Sequence, residues 1–221
     1  MVAPFEGRRR GGICGAWPVT VRALSVPGAW ELTPAVHADP RGVFYEWFAD
    51  REFTAMTGHR LDLRQANVSV SAASVLRGLH FAQLPPSQAK YVTCLRGSVF
   101  DVVVDIRVGS PTFGQWDSVL LDDVDHRSIY LSEGLAHGFL ALQDDSTVSY
   151  LCSAGYAPER EHTICATDPA LDIEWPVSAP KLSDRDAAAP TLAEVRAAGL
   201  LPTWDEAREF TDELSRRASG V

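Results

Sequence analysis

The feature that most limits the fold of this chain is a series of short apolar stretches that begins near residue 61. Within each stretch apolar and polar side chains alternate, which is typical of β-strands and not of helices. Turn residues separate the stretches, as at Arg96-Gly97 and at Gly109-Ser110-Pro111. Short strands in this number predict an all-β sandwich or barrel. The predicted strands cover residues 61–71, 76–80, 91–95, 98–106, 116–121, 127–131, 138–142 and 147–151.

Two Thr-x-x-Glu sequences near the C terminus predict helix starts. They begin at Thr191 and at Thr203, and this spacing allows the threonine and the glutamate to cap the first turn reciprocally. We therefore expect short C-terminal helices from about residue 191, packed on the sheet surface. Residues 21–221 are predicted to form a single domain, and residues 1–20 a disordered N-terminal extension.

Charge and cysteine spacing exclude several classes of function. The chain has 20 basic and 29 acidic residues, a net charge of -9, which argues against nucleic acid and anionic membranes as partners. Its 4 cysteines form no CxxC pair, so that neither a zinc site nor a disulfide framework is indicated. No segment approaches the roughly 18 consecutive apolar residues of a membrane span. We expect a cytoplasmic protein with reduced thiols.

Polar side chains are concentrated in the predicted strands between residues 65 and 91. Alternation places Gln65, Asn67 and Ser69 on one face. A polar face inside a barrel usually lines a ligand cavity, although the pattern alone slightly favours a solvated sheet face. His80 and His137, taken singly, are more often structural than catalytic. Because His80 has no His-x-His partner or nearby carboxylate, a metal-dependent jelly-roll oxygenase is the weaker hypothesis.

Several longer motifs make the interpretation more specific. They are Asp39-Pro-Arg-Gly-Val-Phe-Tyr-Glu46, Val75-Leu-Arg-Gly-Leu-His-Phe81, Gln88-Ala-Lys90, Gly97-Ser-Val-Phe-Asp-Val-Val-Val-Asp-Ile-Arg107, Glu133-Gly-Leu-Ala-His-Gly-Phe139, Asp168-Pro169 and Leu182-Ser-Asp-Arg-Asp186. In order and spacing they resemble the dTDP-4-dehydrorhamnose 3,5-epimerase family, over roughly residues 21–204. The resemblance implies a cupin-like jelly-roll (a double-stranded β-helix), a homodimer, and catalysis without a metal or another cofactor.

The resemblance also implies the catalytic residues. His80, held by Asp168, would act as the general base, Lys90 would face the C4 carbonyl oxygen of the sugar, and Tyr150 would act as the general acid from the opposite face. The remaining positions resemble the family's substrate contacts. These are Arg41, Phe44, Glu46, Gln65, Asn67, Arg77, His137, Tyr156, Glu161 and Trp175.

The chemistry of the implied reaction suits these side chains. Conversion of dTDP-4-dehydro-6-deoxy-D-glucose to dTDP-4-dehydro-L-rhamnose requires proton removal next to a ketone, at C3 and at C5, and proton return to the other face. A neutral imidazole is a suitable base near neutral pH, and a carboxylate can fix its tautomer. An ammonium such as that of Lys90 would stabilise the enolate oxygen.

Three alternatives remain open from the sequence. A mono-epimerase of a deoxysugar pathway would share the fold and the His-Asp pair but invert a single carbon. A non-enzymatic sugar-nucleotide-binding jelly-roll would explain the polar face, but not a base, an ammonium and a phenol together. The metal-dependent oxygenase is the third. In the homodimer, exchanged N-terminal strands are expected to carry Arg41 or Phe44 to the neighbouring pocket.

Overall fold

The structure is a computed structural model that describes residues 18–85 and 87–219. All the strands predicted between residues 61 and 151 are present, with ends displaced by a few residues. Residues 1–17 of the predicted extension lie outside the described residues, but residues 19 and 20 already belong to the first strand. The strands are β1 (Val19–Ala23), β2 (Ala29–Pro34), β3 (His37–Asp39), β4 (Gly42–Phe44), β5 (Gln65–Ser71), β6 (Leu76–Ala82), β7 (Lys90–Arg96), β8 (Ser98–Asp105), β9 (Trp116–Asp122), β10 (Ser128–Leu131), β11 (Leu135–Ala141), β12 (Ser146–Cys152) and β13 (Glu161–Thr163).

The strands form two large antiparallel sheets that face each other. One sheet has six strands in the order β1-β2-β10-β7-β12-β5, and the other has five in the order β13-β6-β11-β8-β9. Val92 and Val148 from the first sheet pack against Val103 and Phe139 from the second in a shared buried core. Burying each such side chain contributes roughly 1.5–3 kcal/mol. The predicted all-β jelly-roll is confirmed, because alternating strands bury one face of each sheet against the other.

Helix α3 (Leu192–Ala197) covers the outer face of the five-stranded sheet. Helix α2 (Asp184–Ala187) lies beside β6, and α4 (Trp204–Ser219) lines a pocket together with Trp30 and Tyr130 of the six-stranded sheet. Leu79 and Leu140 on this face pack with Leu192 and Val195 of α3 in a second buried core. Both predicted capping boxes are present, at Thr191 with Glu194 and at Thr203 with Glu206. The helical part begins earlier than predicted, because Ser183 caps α2 by accepting from the backbone N–H of Asp186.

A further helix lies on the outer face of the six-stranded sheet. Helix α1 (Asp50–Thr57) buries Phe53 edge-on against Tyr130, at a centroid distance of 4.8 Å. The sequence does not predict α1, because its N-cap residue, Ala49, provides no side-chain cap and Phe53 is its only buried residue. Next to α1 in the chain, β3 and β4 form a separate two-stranded sheet.

Candidate active site

The inner face of the six-stranded sheet carries two rows of functional side chains. Lys90 lies opposite Cys152, which in turn lies opposite Gln65 on the edge strand β5. Two residues along, Tyr150 lies opposite Asn67. Directly opposed residues project to the same side of a sheet, and so do residues two positions apart. An ammonium, a phenol and two carboxamides are thereby brought to one wall of the space between the sheets.

The facing wall, on the five-stranded sheet, presents His80. Its neighbours Leu79 and Phe81 pack into the core beneath the helices, so alternation turns His80 towards the space between the sheets. Just before it, Gly78 (φ 133°) approaches β11 so closely that a Cβ atom would lie 2.6 Å from Gly138 Cα. Only glycine is accommodated at such a contact. Gly78 thus allows β6 to run tightly along β11 where the histidine is placed.

A carboxylate from helix α2 holds the ring of His80. The Nε2 atom of His80 lies 2.9 Å from Oδ1 of Asp186; the side chain of His80 is 35% exposed and that of Asp186 is 6% exposed. Burial lowers the pKa of His80, the hydrogen bond with Asp186 opposes this shift, and the charge of Lys90 adds to it. A carboxylate only accepts, so Nε2–H donates and Nδ1 carries the lone pair. At neutral pH His80 is therefore a neutral ring with one free basic nitrogen.

The partner of His80 corrects the sequence prediction, which assigned Asp168. The Oδ2 atom of Asp168 accepts a hydrogen bond of 2.8 Å from the backbone N–H of Leu192, the first residue of α3, and Oδ1 accepts one of 3.0 Å from Ala170. Because both oxygens are used to hold the chain at a helix start, Asp168 has a structural position. His80 is paired with an aspartate as predicted, but the aspartate is Asp186 and not Asp168.

His80 and Lys90 share one small cavity between the sheets. Gln88, Leu135 and Glu161 also line it. The hydrogen bond from Gln88 Nε2 to the backbone oxygen of Ala154, 3.0 Å long, holds the segment that leads into Lys90. A base and a cation on opposite walls of one cavity can act on the same small molecule.

The surroundings change the acidity of the two groups that face His80. Burial lowers the pKa of Lys90, although the charges of Cys152, Glu161 and Asp101 raise it. Burial raises the pKa of Tyr150, which keeps its hydroxyl protonated at neutral pH. The site can therefore offer a neutral imidazole and a protonated phenol on facing sheets, with the amine of Lys90 in the same cavity as the imidazole.

A second pair of histidine and aspartate lies beside the first. His137 on β11 is the cross-strand partner of His80, so the two rings project to the same side. The Nε2 atom of His137 lies 2.9 Å from Oδ1 and 3.0 Å from Oδ2 of Asp101 on β8. Both members of this pair are buried, His137 at 7% exposure and Asp101 at 0%. The predicted site residue His137 thus lies next to His80 and is itself paired with a buried carboxylate.

Polar predicted residues gather at the rim of the same space. Gln65 donates to the Oδ1 atom of Asn67 at 2.8 Å and accepts from the backbone N–H of Tyr156 at 2.8 Å. Arg77 reaches from β6 towards the edge of the other sheet, where its Nε donates to Ser71 Oγ at 3.0 Å. These contacts connect the two sheets near Tyr150, whose pKa the charge of Arg77 lowers against the effect of burial.

Four of the predicted substrate contacts lie elsewhere in this chain. Arg41 and Phe44 belong to the exposed β3–β4 hairpin, where Arg41 pairs with Asp39. Glu46 lies beside Tyr91 on the outer side of the six-stranded sheet. Trp175 packs in the core under the helices and donates to the backbone oxygen of Ala166 at 2.7 Å. Within one chain, these four residues do not line the cavity.

Sequence reasoning missed Asp186, Asp101 and Gln88. All three stand in the motifs that carry the resemblance, but Asp186 is 106 positions from His80 and no spacing rule joins them. In residues 18–85 and 87–219, no three His, Cys, Asp or Glu side chains are grouped as metal ligands. Within the same part of the chain, none of the helices has the length and apolar character needed to cross a membrane.

Comparison with known proteins agrees with this geometry. The family model for dTDP-4-dehydrorhamnose 3,5-epimerase matches residues 23–194. A dTDP-4-dehydrorhamnose 3,5-epimerase of Mycobacterium tuberculosis is 70% identical over 196 residues, which cover 87% of this chain and 97% of the relative.

Two solved structures are close in fold as well as in sequence. An epimerase of Mycobacterium tuberculosis superposes with a TM-score of 0.87 at 69% identity, over 88% of this chain and 99% of the other. A 3'-monoepimerase from Streptomyces bikiniensis, in complex with dTDP-quinovose, superposes with a TM-score of 0.85 at 48% identity, over 87% and 98%. Double and single epimerases thus share this backbone.

Proposed function

Because the chain belongs to the dTDP-4-dehydrorhamnose 3,5-epimerase family, we propose that it inverts C3 and C5 of dTDP-4-dehydro-6-deoxy-D-glucose. The product would be dTDP-4-dehydro-L-rhamnose, for dTDP-L-rhamnose synthesis in the cytoplasm. The cavity shared by His80 and Lys90, with the ring of His80 fixed by Asp186, is the observation that carries this proposal. It brings a candidate base and an amine to one cavity between the sheets.

The first step is proton removal beside the ketone. The Nδ1 atom of His80 takes the proton from C5 or C3, and the electron pair of that C–H bond forms the enolate, with its negative charge on the C4 oxygen. Asp186 then stabilises the imidazolium through Nε2–H. The Lys90 ammonium is placed to stabilise the enolate oxygen, whose charge appears only as the bond breaks.

The second step returns a proton to the opposite face. Tyr150 stands on the other sheet from His80, so a sugar held between the sheets would have one group on each side. Its hydroxyl gives the proton to the enolate carbon and the C4 ketone reforms; solvent then takes the extra proton from His80 and returns one to Tyr150. The raised pKa of Tyr150 keeps this proton available at neutral pH. The proposed chemistry uses no metal and no redox cofactor.

Heavy water provides the test of this function. We would incubate the protein with dTDP-4-dehydro-6-deoxy-D-glucose in deuterium oxide and count the deuterons at C3 and C5 by mass spectrometry. Two deuterons are expected, with no loss of rate after treatment with a chelator. No incorporation would leave a sugar-nucleotide-binding protein without catalysis, and a loss of rate on chelation would contradict the cofactor-free mechanism.

A mono-epimerase is the second candidate. The similarity to a 3'-monoepimerase at 48% identity favours it, because the same backbone accommodates inversion at one carbon. In the heavy-water experiment this enzyme would introduce one deuteron in place of two. The same sample therefore separates the two candidates.

We also propose that the protein works as a homodimer. Val43 and Phe44 of the β3–β4 hairpin are each 58% exposed, and Val68 and Val70 on the outer face of the edge strand β5 are 64% and 58% exposed. Exposed apolar side chains on an edge strand favour association with another chain. A second copy would cover them and would bring its own Arg41 and Phe44 towards the cavity, where Arg41 would add a cation for the diphosphate.

Mixing two inactive variants tests the shared site. His80→Gln removes the base, and the double change Arg41→Ala with Phe44→Ala removes the hairpin side chains. If the hairpin completes the site of the neighbouring copy, each mixed dimer contains one intact site. About half of the dimers in a refolded equal mixture are mixed, so activity should return at roughly one quarter of all sites. A monomer by light scattering, or a mixture with no regain, contradicts this arrangement.

A further inference from the structure

Asp101 has no part in the proposed reaction, although its partner His137 adjoins His80. Asp101 is fully buried, and both of its oxygens contact the Nε2 atom of His137. Both contacts are to the same ring nitrogen, which they hold beside β8. On the same strand and face as His137, Leu135 lines the cavity between His80 and Lys90. The pair therefore forms part of the wall immediately behind the reacting groups.

The charge of Asp101 also faces Lys90. A carboxylate in the protein interior is costly unless it is paired, and so is an ammonium. The two groups lie on facing sheets, and the charge of each favours the charged form of the other. Burial has the largest effect on both pKa values, and it favours the neutral forms. The other titratable groups that face Lys90 are His80 on β6, Cys152 on β12 and Glu161 on β13.

We propose that Asp101 is a positioning residue for the epimerisation: it fixes His137 beside His80 and supplies the buried negative charge that balances the Lys90 ammonium. This inference rests on the proposed function, because only a charged Lys90 can stabilise an enolate oxygen. Without Asp101, the ammonium would lose its proton at a lower pH, and His137 would lose the anchor that fixes its ring.

The test is the pH profile of kcat/KM for Asp101→Asn, in which the carboxylate charge is lost and the shape is nearly kept. The alkaline limb, where Lys90 deprotonates, is expected to move to lower pH by roughly one unit, as for the loss of a neighbouring opposite charge. At neutral pH, kcat is expected to fall by about tenfold to 100-fold, because the wall of the site is displaced. An alkaline limb that stays at its original pH in a folded variant overturns the proposal.

Asp105→Asn is the matched control. Asp105 is a fully buried carboxylate on the same strand and face, but it binds Arg107 with two hydrogen bonds of 2.8 Å and has no histidine partner. This variant is expected to lose stability, while the limbs of its pH profile stay in place. An equal shift in both variants would show a general effect of buried charge and would contradict a specific role of Asp101.

His137→Gln covers the case in which Asp101→Asn does not fold. The amide of glutamine can still donate to Asp101, whose charge remains, so the alkaline limb is expected to stay in place while kcat falls. Unchanged kcat and KM in this variant would overturn the positioning role. If the wild-type protein introduces no deuterium into the sugar, the proposed function fails. If the wild-type protein does introduce deuterium, and the alkaline limb of the Asp101→Asn profile stays at its original pH, only this inference fails.

Discussion

Two histidines on neighbouring strands of one sheet each hydrogen-bond to an aspartate, but their surroundings differ. His80 is about one-third exposed and lines the cavity, and its carboxylate comes from a helix more than 100 positions later in the chain. His137 is nearly buried, and its carboxylate lies on the adjacent strand. As the proposed base, His80 must exchange protons with a substrate and needs access, whereas His137, as the proposed support of the wall, does not.

The difference teaches that geometry alone does not make a histidine a base. Both pairs have a hydrogen bond of 2.9 Å. What separates them is access: the side chain of His80 is 35% exposed and lines a cavity together with Lys90, whereas that of His137 is 8% exposed. Substitutions at or near His80 should therefore affect catalysis more than substitutions that act only on the packing around it.

The largest effect is expected when the carboxylate of the first pair is removed. Asp186→Asn should lower kcat/KM by roughly 10²–10⁴-fold, because His80 loses its fixed tautomer and the charge that stabilises the imidazolium. Steady-state kinetics on folded protein measures this loss. Near-normal turnover would remove Asp186 from the mechanism.

Asp168→Asn is the control for that experiment. Because Asp168 holds the backbone N–H of Leu192 and not His80, its loss should cost about 1 kcal/mol of folding free energy, measured by chemical denaturation, with kcat unchanged. A selective loss of kcat in this variant would restore the original assignment of Asp168 as the partner of the base.

Removal of the phenol should separate proton exchange from inversion. In Tyr150→Phe, His80 still abstracts protons, so deuterium enters the substrate, but no acid delivers a proton to the new face. Formation of the inverted product is expected to fall by roughly 10²-fold while exchange continues. Mass spectrometry follows the exchange and product analysis follows the inversion. An equal loss of exchange and of inversion would contradict a role of Tyr150 that is limited to proton return on the face of the sugar opposite His80.

The acidic limb of the pH profile measures the base itself. Activity requires neutral His80. Because burial lowers the pKa of His80, kcat/KM should begin to fall only at a pH below about 6.5, the usual pKa of a histidine. Because Asp186 raises this pKa, Asp186→Asn should move the limb to still lower pH. A limb that moves upwards in the variant would mean that another group titrates.

The smallest effect is expected at Trp175. Trp175→Phe removes its hydrogen bond to Ala166 on the far side of the five-stranded sheet. We expect a loss of about 1 kcal/mol in unfolding free energy and no change in KM. A clear rise in KM would return Trp175 to the substrate site.

The sequence predicted the strands well because alternation is a local signal that burial between two sheets preserves. The same alternation correctly placed Gln65 and Asn67 on one inner face. It failed where the chain is irregular: residues 164–181 contain no strand or helix, so nothing in the sequence indicated on which side of the sheet Trp175 would pack.

The choice between Asp168 and Asp186 shows the same limit. Both are buried aspartates in motifs near the C-terminal helices. Which of them meets His80 depends on the path of the segment that carries them, and that path is set by packing on the outer face of the sheet. Likewise, the exposed hairpin with Arg41 and Phe44 can be related to the site only through a second chain.

Deuterium exchange in His80→Gln tests the central claim most directly, with His137→Gln measured beside it. Glutamine at position 80 can keep the hydrogen bond to Asp186 but has no basic nitrogen. We expect His80→Gln to lose exchange at C3 and C5 by roughly 10²–10⁴-fold, and His137→Gln to retain exchange at a reduced rate. Near-normal exchange in His80→Gln, or its loss in His137→Gln alone, would show that the other histidine is the base.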